Sequence, residues 1–419
     1  MLTDVIRECR KDWPGNLRED QYRVLNLIGH CRTGVLGERK WRCEGCGHAE
    51  VVPQSCGNRH CPVCLGPRQL EWSAKVCERL PAVEHFHVVF TIPGELKGTS
   101  LRNPREVLGI LMRASAETLQ VFMADKWKAR GGFLSVLHTW GQQLQWHPHV
   151  HVLVSAGGLD LETGKWRRRR SDYLFAVRAL SRVYRAIFLK HLRAMEEDLY
   201  WAGPLARQDL RDGLWQRLVS RDWCVYSAPT LGHTREVVRY LARYTSRVAI
   251  SPHRICGHDR EAGTVSLRYR DNRSGKEAKV LTLPRGEFVR RFAQHILPKG
   301  FQRIRYYGFL HPARYEGIKE RLPTSDTREQ NVAVEPVCQR CGASNWTVRP
   351  RCGSLAGSEG TEVTTNLGGR FDGSRSKPMG TSVSLLSGRA PPQRPTRGWR
   401  QPRHPQKSRS IVASEVPQL

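Results

Sequence analysis

At 419 residues with 39% apolar content, the chain is long enough for two or three domains, each with its own core. Its 68 Lys and Arg against 39 Asp and Glu leave a net charge of +29, which favours a polyanionic partner, with nucleic acid as the default. No apolar run approaches the roughly 20 residues of a membrane helix, and "MLTDVIRECRKDWPG" lacks the apolar core of a signal peptide. No membrane partner is therefore expected. The expected compartment is the cytoplasm, where clustered cysteines bind metal more often than they form disulfides.

In chain order, residues 1 to about 29 read as a short helical lead-in, followed by a cysteine-rich block over 31–64. A helix is expected over 68–80, a strand over 84–93 ("EHFHVVFTIP") and a helix over 108–127. Two strands follow, 133–141 ("FLSVLHTWG") and 147–156 ("HPHVHVLVSA"), whose short link predicts antiparallel pairing. The basic turn "KWRRRR" (165–170) leads to a long helix over 174–200, a strand over 222–228 and a helix over 234–250. Strands over 264–271 and 279–284 flank the turn "NRSG", and a helix spans 286–297. From 365 to 419 there are seven Pro and ten Lys or Arg but only two acids, a composition that predicts disorder. The expected class is α+β, with an antiparallel sheet at its centre and flanking helices. A small zinc module (1–80), a catalytic domain (81–325) and a poorly structured basic tail (326–419) complete the expected organisation.

Within the cysteine block, Cys43 and Cys46 form one CxxC knuckle and Cys61 and Cys64 another. Two such knuckles facing each other complete a tetrahedron for Zn²⁺. Cys56 and His60 lie between them as further candidate ligands, with His48 and Cys31 nearby, so one zinc with spare thiols and a two-zinc cluster both fit. "CQRCG" (338–342) is a third CxxC with only Cys352 near it, one ligand short.

In "HPHVHVLV", alternation puts His147, His149 and His151 on one strand face. The preceding "TWGQQ" brings Gln142, or failing that Gln143, toward the pair. Two imidazoles and an amide oxygen would hold Mg²⁺ or Mn²⁺ with positions left open to polarise a phosphate. Tyr240 and Tyr244 sit one turn apart, beside a row of Arg239, Arg243 and Arg247. A tyrosine hydroxyl can attack a phosphodiester and hold the DNA end as an ester, while the arginines suit the neighbouring phosphates. Lys299, Arg303 and Arg305 interleave with Phe301, Tyr306, Tyr307 and Phe309, a pattern expected of a single-strand contact surface.

Together "CGNRHCPVC", "LHTWGQ", "HPHVHVLV", "VVRYLARYTSRVAIS" and "RFAQHILPKGFQRIRYYGFL" resemble the two-tyrosine HUH transposases of the insertion sequence 91 group, over about residues 20 to 315. The resemblance implies a rolling-circle transposase whose central sheet carries the histidine pair, with the tyrosine helix alongside. By position, His149 and His151 match the HUH pair and Tyr240 and Tyr244 the nucleophiles, leaving a 5′-phosphotyrosyl end. No Gly-rich phosphate loop is visible, so unwinding would fall to host replication or helicase proteins. A replication initiator or relaxase would share this chemistry. A zinc-ribbon regulator would bind DNA without cutting it, and a metal-dependent hydrolase would cut without an adduct.

Overall fold

The computed structural model describes residues 2–169, 173–230, 249–271, 277–324, 338–341 and 346–351. Helices α1 (Leu2–Glu8) and α2 (Glu19–Gly29) lead into a hairpin of β1 (Glu38–Cys43) and β2 (Ala49–Pro53). Helix α3 (Pro62–Arg79) starts earlier than its apolar spacing predicts, because Pro62 stands in its first turn, where its missing N–H costs nothing.

Five strands build the central sheet. They are β3 (His85–Thr91), then, past β4 (Ala129–Arg130), β5 (Gly132–Trp140) and β6 (Trp146–Ser155). The last two are β9 (Val225–Pro229), which follows β7 (Gly157–Asp160) and β8 (Trp166–Arg168), and β13 (Ile304–Gly308), which follows β10 (Ile255–Asp259), β11 (Thr264–Asp271) and β12 (Glu277–Pro284). The strand order is β13-β5-β6-β3-β9, and every pairing is antiparallel, as the expected α+β class requires. The expected pairs β5–β6 and β11–β12 both form.

The strands alternate, so the sheet has two unlike faces. Phe86, Val88, Phe90, Phe133, Leu137, Val150, Val152 and Val154 point to one side and pack on α5 (Pro104–Trp127), which follows the short α4 (Lys97–Arg102), and on α6 (Val177–Arg193). Helix α5 is long and apolar enough to cross a membrane by length and composition, contrary to the expectation that no such run exists. Its apolarity has a local cause: the helix is sandwiched between the sheet and α6, and two thirds of that stretch (67%) is buried.

The opposite face divides lengthwise. At one end Leu134, Val136 and Leu153 receive Val76 of α3 and Leu80 just past its end, so the cysteine-rich module packs directly on the sheet. At the other end the same face carries His138, His149 and His151. The remaining N-terminal residues join a separate core with β10–β12 and the helix Arg285–Gln294, including Phe288, Val289 and Phe292.

One expectation changes and another lies outside the described residues. The chain beyond 326 is not all tail: β14 (Trp346–Arg351) pairs antiparallel with β1, Cys43 facing Trp346. The predicted helix over 234–250 falls almost wholly outside the described residues, and with it Arg239, Tyr240, Arg243, Tyr244 and Arg247.

Candidate metal centres and nucleic-acid groove

His138 on β5 lies directly opposite His149 on β6, and His151 follows two residues on, opposite Val136. The three imidazoles share one face, and their ligand nitrogens lie within 4.8 Å of one another. Burial pushes His149 down to about 4 and His151 to about 2, with neighbouring imidazoles adding repulsion. Both rings are therefore neutral at physiological pH, the form that binds metal.

The structure brings His138, and not Gln142, beside the histidine pair. The ladder ends at the Trp140↔Trp146 pair, and Gln142 lies exposed in the turn beyond it. The backbone carbonyl of Gln142 accepts from Arg254, and Gln143 donates its backbone N–H to the Gln145 side chain at 2.9 Å. His138 stood in plain view within "LHTWGQ", but only the register of β5 against β6 makes it a partner of the pair.

Second-layer contacts set the tautomers. His149 donates from Nδ1 to the His147 carbonyl at 2.7 Å, so His147 supports the site from outside it. His151 Nδ1 meets His87 Nε2, from β3, at 2.8 Å. If His151 is to present Nε2 to a metal it must carry its proton on Nδ1, and His87 must then accept at Nε2. That role needs a neutral His87, and burial lowers it to about 4. The sequence reading missed His87, although "HFHVVFT" is itself an HxH strand whose odd positions face the same side as His149 and His151. Tyr226 on β9 faces that side too, 55% exposed, its ring 6.3 Å from His87.

The turn that joins β5 to β6 is held by a histidine from far along the chain. His295 is fully enclosed, with Nδ1 3.1 Å from the Thr139 hydroxyl and Nε2 3.1 Å from the Leu144 carbonyl. Leu144 has φ of 60°, which costs a leucine about 1–2 kcal/mol. Full burial of its side chain stabilises by about 2 kcal/mol, and the His295 bond holds the carbonyl, so the strained turn persists. Burial depresses His295 to about 4 from 6.5. The unfolded chain takes up a proton below 6.5 that the folded chain refuses. Stability is thus full above pH 6.5 and falls as the pH drops toward 4, by about 3 kcal/mol for this group. Urea unfolding of His295→Gln is expected to show a shallower acid slope across that window than the parent. An unchanged slope would show that His295 does not drive it.

The cysteines form two clusters, neither of them the pairing that the CxxC spacing predicts. Cys61 and Cys64 close with Cys31 and Cys56, and Cys43 and Cys46 close with Cys338 and Cys341. In the first cluster the Cys31–Cys64, Cys56–Cys64 and Cys61–Cys31 sulfurs are 3.6, 3.6 and 3.7 Å apart. Ligands about 2.3 Å from a tetrahedral zinc are separated by about 3.8 Å, whereas a disulfide requires about 2.05 Å. The four thiols therefore fit Zn²⁺. Hydrogen bonds from the Cys56 and Cys61 thiols lower Cys31 to about 7. His60 is not among the ligands: it is buried beside Arg59 and Arg303, and burial pushes it down to about 3.

Arg59, from the same block, donates to the Pro298 carbonyl at 2.8 Å and to that of Phe301, tying the zinc module to the loop before edge strand β13. Between them opens a groove of about 710 Å³ lined by Trp72, Arg59, Arg303, Arg305 and Tyr306. Burial, with Arg59 alongside, lowers Arg303 to about 10. Lys299 is exposed, and Arg305 lies over the Phe301 ring at 5.2 Å. The expected aromatic surface is only half present. Phe301 and Phe309 are buried, while Tyr306 and Tyr307 keep part of their rings accessible.

A family model described as "Transposase zinc-binding domain" matches residues 1–92, and one described as "Putative transposase" matches 132–317. The chain is 39% identical over 319 residues to "Putative transposase y4qJ" of Sinorhizobium fredii, covering 74% of this chain and 80% of that one. It is 31% identical over 323 residues to the transposase for insertion sequence element IS801 of Pseudomonas savastanoi pv. phaseolicola, covering 74% and 77%. Among solved structures, the metal-bound conjugative relaxase TrwC in complex with oriT DNA aligns with 67% of this chain and 97% of its own, at 14% identity and a TM-score of 0.26. The chain belongs to the transposases of the insertion sequence 91 group.

Proposed function

We propose that the chain cuts and rejoins single-stranded DNA at the ends of its element, by tyrosine attack beside a divalent metal held by His138, His149 and His151. The observation that carries this reading is the cluster of three imidazoles on two adjacent strands of a transposase, with His149 and His151 kept neutral by burial. A donor set of three imidazoles and no carboxylate suits Mn²⁺ better than Mg²⁺. When bound, the metal supplies charge that polarises a phosphate oxygen.

Tyr240 or Tyr244 attacks phosphorus through its hydroxyl oxygen. The new P–O bond makes a 5′-phosphotyrosyl ester, the bond to the 3′ oxygen breaks, and the proton lost by tyrosine is balanced by one gained at the 3′ hydroxyl. Because one ester replaces another, a 3′ hydroxyl can reverse the step and join a new strand. Arg239, Arg243 and Arg247 pair with phosphates near the nucleophiles. Lys299, Arg303 and Arg305 guide the single strand along the groove. The chain acts in the cytoplasm, with host replication or helicase proteins opening the duplex.

The test is a denaturing gel of labelled single-stranded terminal DNA, protein and Mn²⁺. A covalent band is expected, and it should vanish in the Tyr240→Phe, Tyr244→Phe double variant and persist in Tyr226→Phe. Loss of the band in Tyr226→Phe alone would move the nucleophile to β9. Cleavage without an adduct would mean hydrolysis, and tight binding without cleavage would mean a regulator. His87→Ala is expected to weaken Mn²⁺ binding, measured by calorimetry, about 10- to 100-fold. His87→Gln, whose amide oxygen accepts the same hydrogen bond, should recover most of that loss.

A further inference from the structure

We propose that Cys43, Cys46, Cys338 and Cys341 bind a second zinc ion that fastens the C-terminal segment to the N-terminal hairpin. Cys43 and Cys341 are 3.5 Å apart at sulfur, and Cys46 and Cys338 3.7 Å. All four sulfurs lie within 4.8 Å of one another. These separations are edges of a zinc tetrahedron and too long for disulfides. Cys43 and Cys338 are buried, Cys46 is half-buried and Cys341 is exposed at the rim, so an ion can enter from solvent.

The surrounding packing shows why a metal is needed there. The local apolar cluster consists of Cys43, Cys338 and Trp346, with Trp41 and Cys46 against it. Trp41 stands edge-on to Trp346 with the ring centroids 6.2 Å apart. Among the described residues this cluster is small and three of its five members are cysteines, the situation in which small modules use a structural metal. Binding converts thiols to thiolates, and the released protons pass to solvent.

The consequence is architectural. The chain is anchored at Pro323, whose carbonyl accepts from the Ala82 N–H at 2.8 Å, and again at β14. The second zinc fixes the second anchor and so sets the point from which the basic residues 352–419 continue. It also makes the zinc module discontinuous: the match to the zinc-binding family covers 1–92, whereas the closing ligands come from 338 and 341.

Native mass spectrometry tests this on the full-length protein carrying His149→Ala and His151→Ala, so that the histidine site adds no ion. Two zinc ions are expected. Adding Cys338→Ser and Cys341→Ser should leave one, as should Cys43→Ser with Cys46→Ser, while Cys352→Ser should leave two. Amide exchange in 38–43 and 346–351 should speed up at least about tenfold in the Cys338→Ser, Cys341→Ser variant, while the helix Arg285–Gln294 keeps its protection. One ion in the parent, or two retained by the Cys338→Ser, Cys341→Ser variant, would overturn the proposal. So would unchanged exchange in those strands.

Discussion

His138→Ala is expected to lower Mn²⁺-dependent cleavage of single-stranded terminal DNA by at least about 100-fold. Gln142→Ala should leave it within about twofold. His138 faces His149 across the β5–β6 ladder and shares its ligand cluster, whereas Gln142 lies in the exposed turn past the end of that ladder. Removing His138 takes away one of three donors and leaves two buried imidazoles to hold the ion. Initial rates across a Mn²⁺ titration, run on both variants, check this. Equal losses in the two would restore the amide as the third ligand, and no loss in His138→Ala would remove β5 from the site.

Cys64→Ser is expected to have the largest effect on stability. Cys64 touches both Cys31 and Cys56 at 3.6 Å, within the core that joins α1, α2, β10–β12 and the helix Arg285–Gln294. Structural zinc contributes about 10–16 kcal/mol of apparent binding free energy at pH 7. Loss of one thiolate in four should therefore remove several kcal/mol and lower the thermal midpoint by roughly 10 °C or more. Cys9→Ser is the control. Cys9 is buried in the same core, its thiol pushed up to about 11 by burial, but it is not a ligand. Its replacement should cost about 1–2 kcal/mol as a buried polar substitution. Calorimetry with zinc analysis separates the two, and a Cys64→Ser protein that keeps its zinc and its midpoint would show that the cluster is not structural.

The elements were largely legible in the sequence because each rests on local pattern. "HPHVHVLV" alternates, so His149 and His151 had to share a face with apolar residues behind them, and they do. The apolar run of α5, the β11–β12 hairpin around "NRSG" and the CxxC knuckles likewise depend on neighbours a few residues apart. The interleaving of basic and aromatic residues over 299–309 was legible for the same reason, and Arg303 and Arg305 line the groove, but the burial of Phe301 and Phe309 was not legible.

Spacing alone could not assign partners. Cys61 and Cys64 take Cys31 and Cys56, and Cys43 and Cys46 take two thiols from beyond residue 337, because α3 packs on the sheet and β14 returns to β1. His138, His87 and His295 converge on one hairpin from β5, β3 and the end of a distant helix. The sequence by itself determined the donor types, their alternation along a strand and the net charge, since these follow from residue identity and the backbone repeat. Which donors share an ion, which ring orients which, and where the chain's far end is fastened were decided by strand register and packing, which bring together residues that no local period relates.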